Sequence, residues 1–139
     1  MKAIADRYAT ALLDVAMERG QTDAAKSVLD GLGTAIRESN DLRQFLANPA
    51  VQRDKRVAVM EILLDRIGAA PQAKPFLRNF LMVVIDHRRA AVLPEIAEAY
   101  TEKMNERLGI AVAKVSSAAE LNERERLELE RAFARVTNM

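Results

Sequence analysis

The chain has 139 residues, half of them hydrophobic, with aromatics at only 4%, 21 basic against 20 acidic side chains, and no cysteine. That length bounds it to one domain, or one domain and part of another. The composition excludes a disulfide framework and thiol catalysis. Its near-neutral, dispersed charge leaves no nucleic-acid footprint, and its Ala, Leu, Val and Ile content suits close-packed helices better than a β-sandwich.

The N-terminus enters a helix directly, with no basic segment followed by an apolar run, so no secretory signal is expected. Helix one runs from about Lys2 to Arg19 and stops at Gly20, a natural residue just past a helix end. Its apolar residues cover more than half the circumference: Ile4, Tyr8, Ala11 and Val15 form one stripe, beside Ala5, Ala9, Leu12 and Ala16. Thr22 is the expected cap of helix two, which buries Ala25, Val28, Leu29, Leu32 and Ile36 at helical spacing. Gly31 and Gly33 inside that pattern signal either close helix contact or a weakened, kinked second half.

Asn40 and Asp41 open a short turn, Leu42 to Leu46, closed by Asn48-Pro49. Helix four follows from Arg53 to Ile67, with Val57, Met60, Leu63, Leu64 and Ile67 inward and Gly68 ending it. Its basic start (Arg53, Lys55, Arg56) reads as a solvated face. Pro71 and Pro75 suit the loop and first turn of helix five, Phe76 to Arg89. On that helix Phe76, Val83 and His87 make one side, with Asn79 and Phe80 at its edges, while Leu77, Leu81 and Val84 make another. Helix six starts at Leu93-Pro94-Glu95 and ends before Gly109, burying Ile96, Ala99 or Tyr100, Met104 and Leu108.

The texture then changes. Residues 110–116 are short, β-branched and not helical in period, which predicts a strand. Asn122 with Glu125 resembles a capping box for a last helix over about 122–136. The expected fold is therefore mainly α. A six-helix N-terminal bundle over 1–108 precedes residues 109–139, read as the start of an incomplete C-terminal α/β domain or as a tail that pairs elsewhere.

Catalytic and cofactor signals are absent. His87 is the only histidine, and no phosphate-binding, nucleophile-elbow or zinc-helix motif occurs, so no enzyme, cofactor or metal site is expected. The longest apolar run, Phe80 to Ile85, is far short of the roughly 20 residues that span a bilayer. A soluble protein that can still sit on a membrane-bound partner is expected. What remains is surplus apolar surface. A surface helix needs an apolar stripe only a little over about 100° wide, and helices one and five exceed it. Either both are central in the bundle, or they form a groove for an amphipathic helix of another chain.

Five short pieces carry a family resemblance. They are Ala5-x-Arg7-Tyr8-Ala9-x-Ala11-Leu12; Phe45-Leu46-x-Asn48-Pro49-x-Val51 with Lys55; Asn79-Phe80-Leu81 with Arg89; Leu93-Pro94-x-Ile96; and Val115-Ser116-Ser117-Ala118 followed by Leu121. In this order and spacing the chain resembles the delta subunits of F-type ATP synthase, the family of the oligomycin-sensitivity-conferring protein. The resemblance implies a non-catalytic stator subunit on the cytoplasmic face of the bacterial inner membrane. Its helices one and five would bind the N-terminal helix of an α subunit, and its C-terminal part would join the paired b subunits. By matching position Tyr8, Ala11 and Val83 would line the groove; Ile4, Val15, Phe76 and Asn79 follow by helical phase. Family members continue past Met139 with a strand-and-turn region and a final helix, so a truncated chain is expected, and b-subunit attachment is the part of the resemblance this departure weakens. The rival expectations are a stand-alone helical adaptor using the same groove and a small helical enzyme using His87 and its arginines.

Overall fold

A computed structural model describes the backbone of residues 2–118 and 123–137, and the side chains of 2–109, 127–128 and 130–135. The described residues form α1 (Lys2–Glu18), α2 (Thr22–Glu38), α3 (Asn40–Ala47), α4 (Arg53–Ile67), α5 (Lys74–Asp86), a single 3-10 turn (Ala90–Val92), α6 (Leu93–Ala118) and α7 (Glu123–Thr137). They fall into two compact units, Met1–Tyr100 and Thr101–Met139.

In the first unit the core is built on α2, whose Ala25, Val28, Leu29, Leu32 and Ile36 are all sealed. Around it pack α1, α3 and α4, and α4 in turn packs on α5. The opening turns of α6 close the unit with buried Leu93, Ile96, Ala97 and Tyr100. From α1 the core takes Ala5, Ala9, Leu12, Leu13 and Ala16, and from α5 it takes Leu77, Leu81, Val84 and Ile85. On α4, Met60 and Leu64 are buried, whereas Val57, Leu63 and Ile67 are only half-buried.

Helix ends follow backbone chemistry. Gly20 takes φ +64°, and behind it the Gln21 N–H donates to the Ala16 carbonyl at 2.8 Å, satisfying an otherwise orphaned acceptor of α1. Gly31 marks a close approach, not a kink. A Cβ there would lie 3.0–3.2 Å from three carbons of Ile67, and one on Gly33 would lie 3.4 Å from the Cα of Pro94. The glycines let α4 and α6 approach α2, which runs unbroken through both positions.

Several expectations are corrected. Thr22 is the first residue of α2, not its cap; Gln21 holds the cap position without a side-chain bond, and the Thr22 carbonyl instead accepts the Tyr100 hydroxyl at 2.8 Å. Ser39, not Asn40 or Asp41, caps α3, accepting the Leu42 N–H at 3.1 Å. Helix five is shifted toward its N-terminus, because Lys74 and Pro75 fill its first turn and Asp86 ends it. Arg56 is not part of a solvated face: it is 6% exposed and donates to the Asn48 carbonyl, tying α4 to the turn after α3. The strand expected over 110–116 is helix, the continuation of α6 to Ala118. The physical reason lies in the hydrogen bonds: a helix satisfies its backbone internally, whereas a lone strand leaves it unpaired. The capping role assigned to Asn122 lies outside the described residues.

In the second unit, α7 leaves Leu127 and Phe133 about half exposed. Among the described residues no helix is long and apolar enough to cross a membrane.

Two outcomes follow from this packing. Gly31→Val puts extra methyl groups where Ile67 already lies, and urea unfolding should show a loss of about 1–3 kcal/mol. Burial, with the charge of Asp23 as a lesser cause, pushes the Tyr100 phenol above its usual range, so the fold favours its neutral form. Unfolded tyrosine ionises near about pH 10, and stability held below that value should fall as pH rises above it. Tyr100→Phe should cost about 1 kcal/mol at neutral pH and flatten the alkaline decline measured by denaturant midpoints.

Candidate functional site

The two stripes of α1 meet different fates. Ala5, Ala9, Leu12 and Ala16 are sealed, and the small alanines set a close approach to the bundle. The neighbouring stripe is left out: Ile4 and Tyr8 are half-buried, Ala11 is exposed, and Val15 keeps 36% of its surface. The same division runs along α5. Leu77, Leu81 and Val84 are buried, while Val83 keeps 46% and Asn79 and His87 are exposed.

Ring contacts fix how the two helices face each other. Tyr8, near the start of α1, meets Phe80 edge-on at 6.3 Å and His87 at 6.4 Å between centroids. Arg19, just past the end of α1, lies 5.7 Å over the ring of Phe76 near the start of α5. The helices therefore run antiparallel, and between them lies a groove of about 710 Å³. All seven residues expected at a partner site (Ile4, Tyr8, Ala11, Val15, Phe76, Asn79 and Val83) line this one groove.

The polar groups around it are arranged for structure, not for proton transfer. The Nδ1–H of His87 donates to the Val83 carbonyl at 2.9 Å, which turns the ring toward Tyr8. Asp86, its neighbour, is engaged by Arg53 of α4, and that hydrogen bond holds its carboxyl below the usual carboxylate range. Arg88 takes φ +58°, an uncommon left-handed conformation for a residue with a side chain. The turn it makes lets the Arg89 N–H donate to the Val84 carbonyl at 2.9 Å and brings Arg89 to the groove. Among the described residues no cluster of three or more His, Cys, Asp or Glu side chains is placed to hold a metal ion.

Sequence reasoning misses six lining residues: Arg7, Leu12, Arg19, Phe80, His87 and Arg89. Helical phase puts Phe80 and His87 on or beside the correct side of helix five without assigning them to the groove. The signal for two others is present, since Arg7 and Arg19 stand four residues from Ala11 and Val15 and so share their stripe. A search restricted to apolar positions passes over them.

Comparison with known proteins points one way. The family model described as ATP synthase delta (OSCP) subunit matches residues 4–139. The ATP synthase subunit delta of Acidobacterium capsulatum is 35% identical over 130 residues, covering 93% of this chain and 70% of that protein. That of Koribacter versatilis is 34% identical over 137 residues, covering 98% and 74%. That of Methylorubrum extorquens is 37% identical over 118 residues, covering 85% of this chain and 60% of the relative.

The separation of groove from core can be checked by adjacent substitutions. Val83→Asp, at a half-exposed position, should leave the unfolding free energy in urea within about 0.5 kcal/mol of the wild-type value. Val84→Asp, one residue on and fully buried, should unfold the bundle, because it strands a carboxylate in an apolar core.

Proposed function

Because this chain belongs to the ATP synthase delta (OSCP) subunit family, we propose that its α1–α5 groove holds the N-terminal helix of the ATP synthase α subunit. The family is that of a structural, non-catalytic peripheral-stalk subunit of F-type ATP synthase. Membership decides against the stand-alone adaptor and the small enzyme as readings of this chain. In our reading the chain is a stator part at the cytoplasmic face of the bacterial inner membrane, with its second unit directed toward the b subunits.

The observation that carries the groove assignment is the exposure of Val15 and Val83 on facing helices, each beside an apolar stripe that is sealed in the core, with both side chains lining the same groove. An amphipathic helix laid between them buries the same kind of surface that the bundle buries internally, by the recurring mode of helix-in-groove recognition. Ala11 leaves room for a close backbone approach, and Tyr8 supplies area with a hydroxyl for the wet rim.

Mechanically the work is resistance, not chemistry. The rotor exerts torque on the catalytic head, and the head must be held for proton flow to drive ATP synthesis. A stator contact of this kind needs slow dissociation, which comes from a desolvated apolar centre and a partner surface formed in advance. The grouping of both groove walls on helices of one packed unit meets that need, since little ordering is left to be done on binding.

Titration calorimetry of this chain with a synthetic α-subunit N-terminal peptide tests the reading. Binding should be clear for the wild-type chain and weaker by about thirtyfold for Val83→Asp, the loss typical of a central contact. Unchanged affinity in Val83→Asp would overturn the groove assignment.

A further inference from the structure

The apolar floor of the groove carries cations at both ends and no acid. Arg7 and Arg89 line it with His87, whose ring lies beside Tyr8; Arg19 lines it at the end held by Phe76. Among the described residues, no carboxylate forms an ion pair with Arg7, Arg19 or Arg89. Elsewhere in the bundle Arg37, Arg53, Lys74 and Arg78 each reach an acidic partner on another element; what sets Arg7, Arg19 and Arg89 apart is that they line an apolar groove. Charges left unpaired around an apolar cleft are placed to meet charge on what fills it.

We infer that the groove selects an amphipathic helix with carboxylate side chains on its polar flanks, one set near each end of the contact. This rests on the groove reading above and adds the chemistry of the occupant's edges. Arg7 and Arg19 are twelve positions apart on one helix line, which is about 18 Å at 1.5 Å per residue. A helix lying along the groove therefore presents its two acidic sites some three turns apart. The apolar centre supplies the slow dissociation, and the cationic ends supply register and faster encounter. Arg19 serves in two ways, since its guanidinium caps Phe76 by a cation–π contact and a guanidinium carries five N–H donors, enough to hold a carboxylate as well. The same ends disfavour an equally apolar helix with lysines on its flanks, because like charges would then be held together at the edge of a desolvated site.

The test uses the whole chain and two probes. One is the α-subunit N-terminal peptide; the other is the same peptide with every Asp and Glu changed to Asn and Gln. Dissociation constants are read by fluorescence anisotropy between about 0.1 and 1 M salt, across which the screening length falls from about 10 to about 3 Å. Wild-type chain should bind the acidic peptide more weakly as salt rises, and Arg7→Glu and Arg19→Glu should each weaken low-salt binding about fivefold and flatten that dependence. The amide peptide should show a similar loss and respond to neither substitution. Val83→Asp separates the two claims. If it weakens binding as expected while the charge reversals and the amide peptide change nothing, the acidic-helix inference is overturned and the groove stands. If Val83→Asp binds as wild type does, the groove itself is wrong.

Discussion

The molecule is organised around a division of α1 into one stripe sealed in the bundle and a neighbouring stripe left along a groove. The alanine-rich stripe lets the helix sit close to the bundle, so that Leu12 and Leu13 are buried although the neighbouring stripe is only partly covered. If α1 stood farther out, the bundle would need bulkier residues to fill the gap, and the groove-facing side chains would be drawn inward to cover it. Small residues on one side of the helix are thus the condition for leaving Val15 open on the other. Helix α5 repeats the arrangement, with Val84 sealed and Val83 open one residue away.

The remaining features hold these two helices in place. Packing of α4 on α5 and the Arg53–Asp86 contact fix α5 from behind. Elsewhere in the bundle, Tyr100 anchors α6 to α2 through the Thr22 carbonyl. The turn after α5 is made by an arginine where a glycine would be easier, at a cost of order 1 kcal/mol, and it places Arg89 at the groove. Holding a partner helix requires no nucleophile, general base or metal. A groove that acts by surface held in readiness, as we propose, fits a family of structural stalk subunits.

Much of this is legible in the residues because apolar period and glycine punctuation agree. The spacing of Ala25, Val28, Leu29, Leu32 and Ile36 marks the buried face of α2, and Gly20 and Gly68 end their helices where the pattern stops. The surplus stripes on α1 and α5 are legible because they are wider than one core needs; the family resemblance places Tyr8, Ala11 and Val83 in a groove, and helical phase adds Ile4, Val15, Phe76 and Asn79. The rest depends on three dimensions. Whether the extra stripe is sealed cannot be decided from one helix alone, since it depends on what packs alongside. The buried position of Arg56 turns on a carbonyl eight residues away. The strand expected over 110–116 shows β-branched propensity yielding to the continuity of a helix that has already begun.

The most direct test of the central claim is to map, by NMR, which methyl groups respond when isotope-labelled chain is titrated with the α-subunit N-terminal peptide. A helix seated in the groove predicts saturable shifts for Ile4, Val15 and Val83, with the sealed Leu13, Leu29 and Leu32 hardly moved. Shifts confined to the face of α2 and α4 away from the groove, with Val15 and Val83 silent, would contradict it.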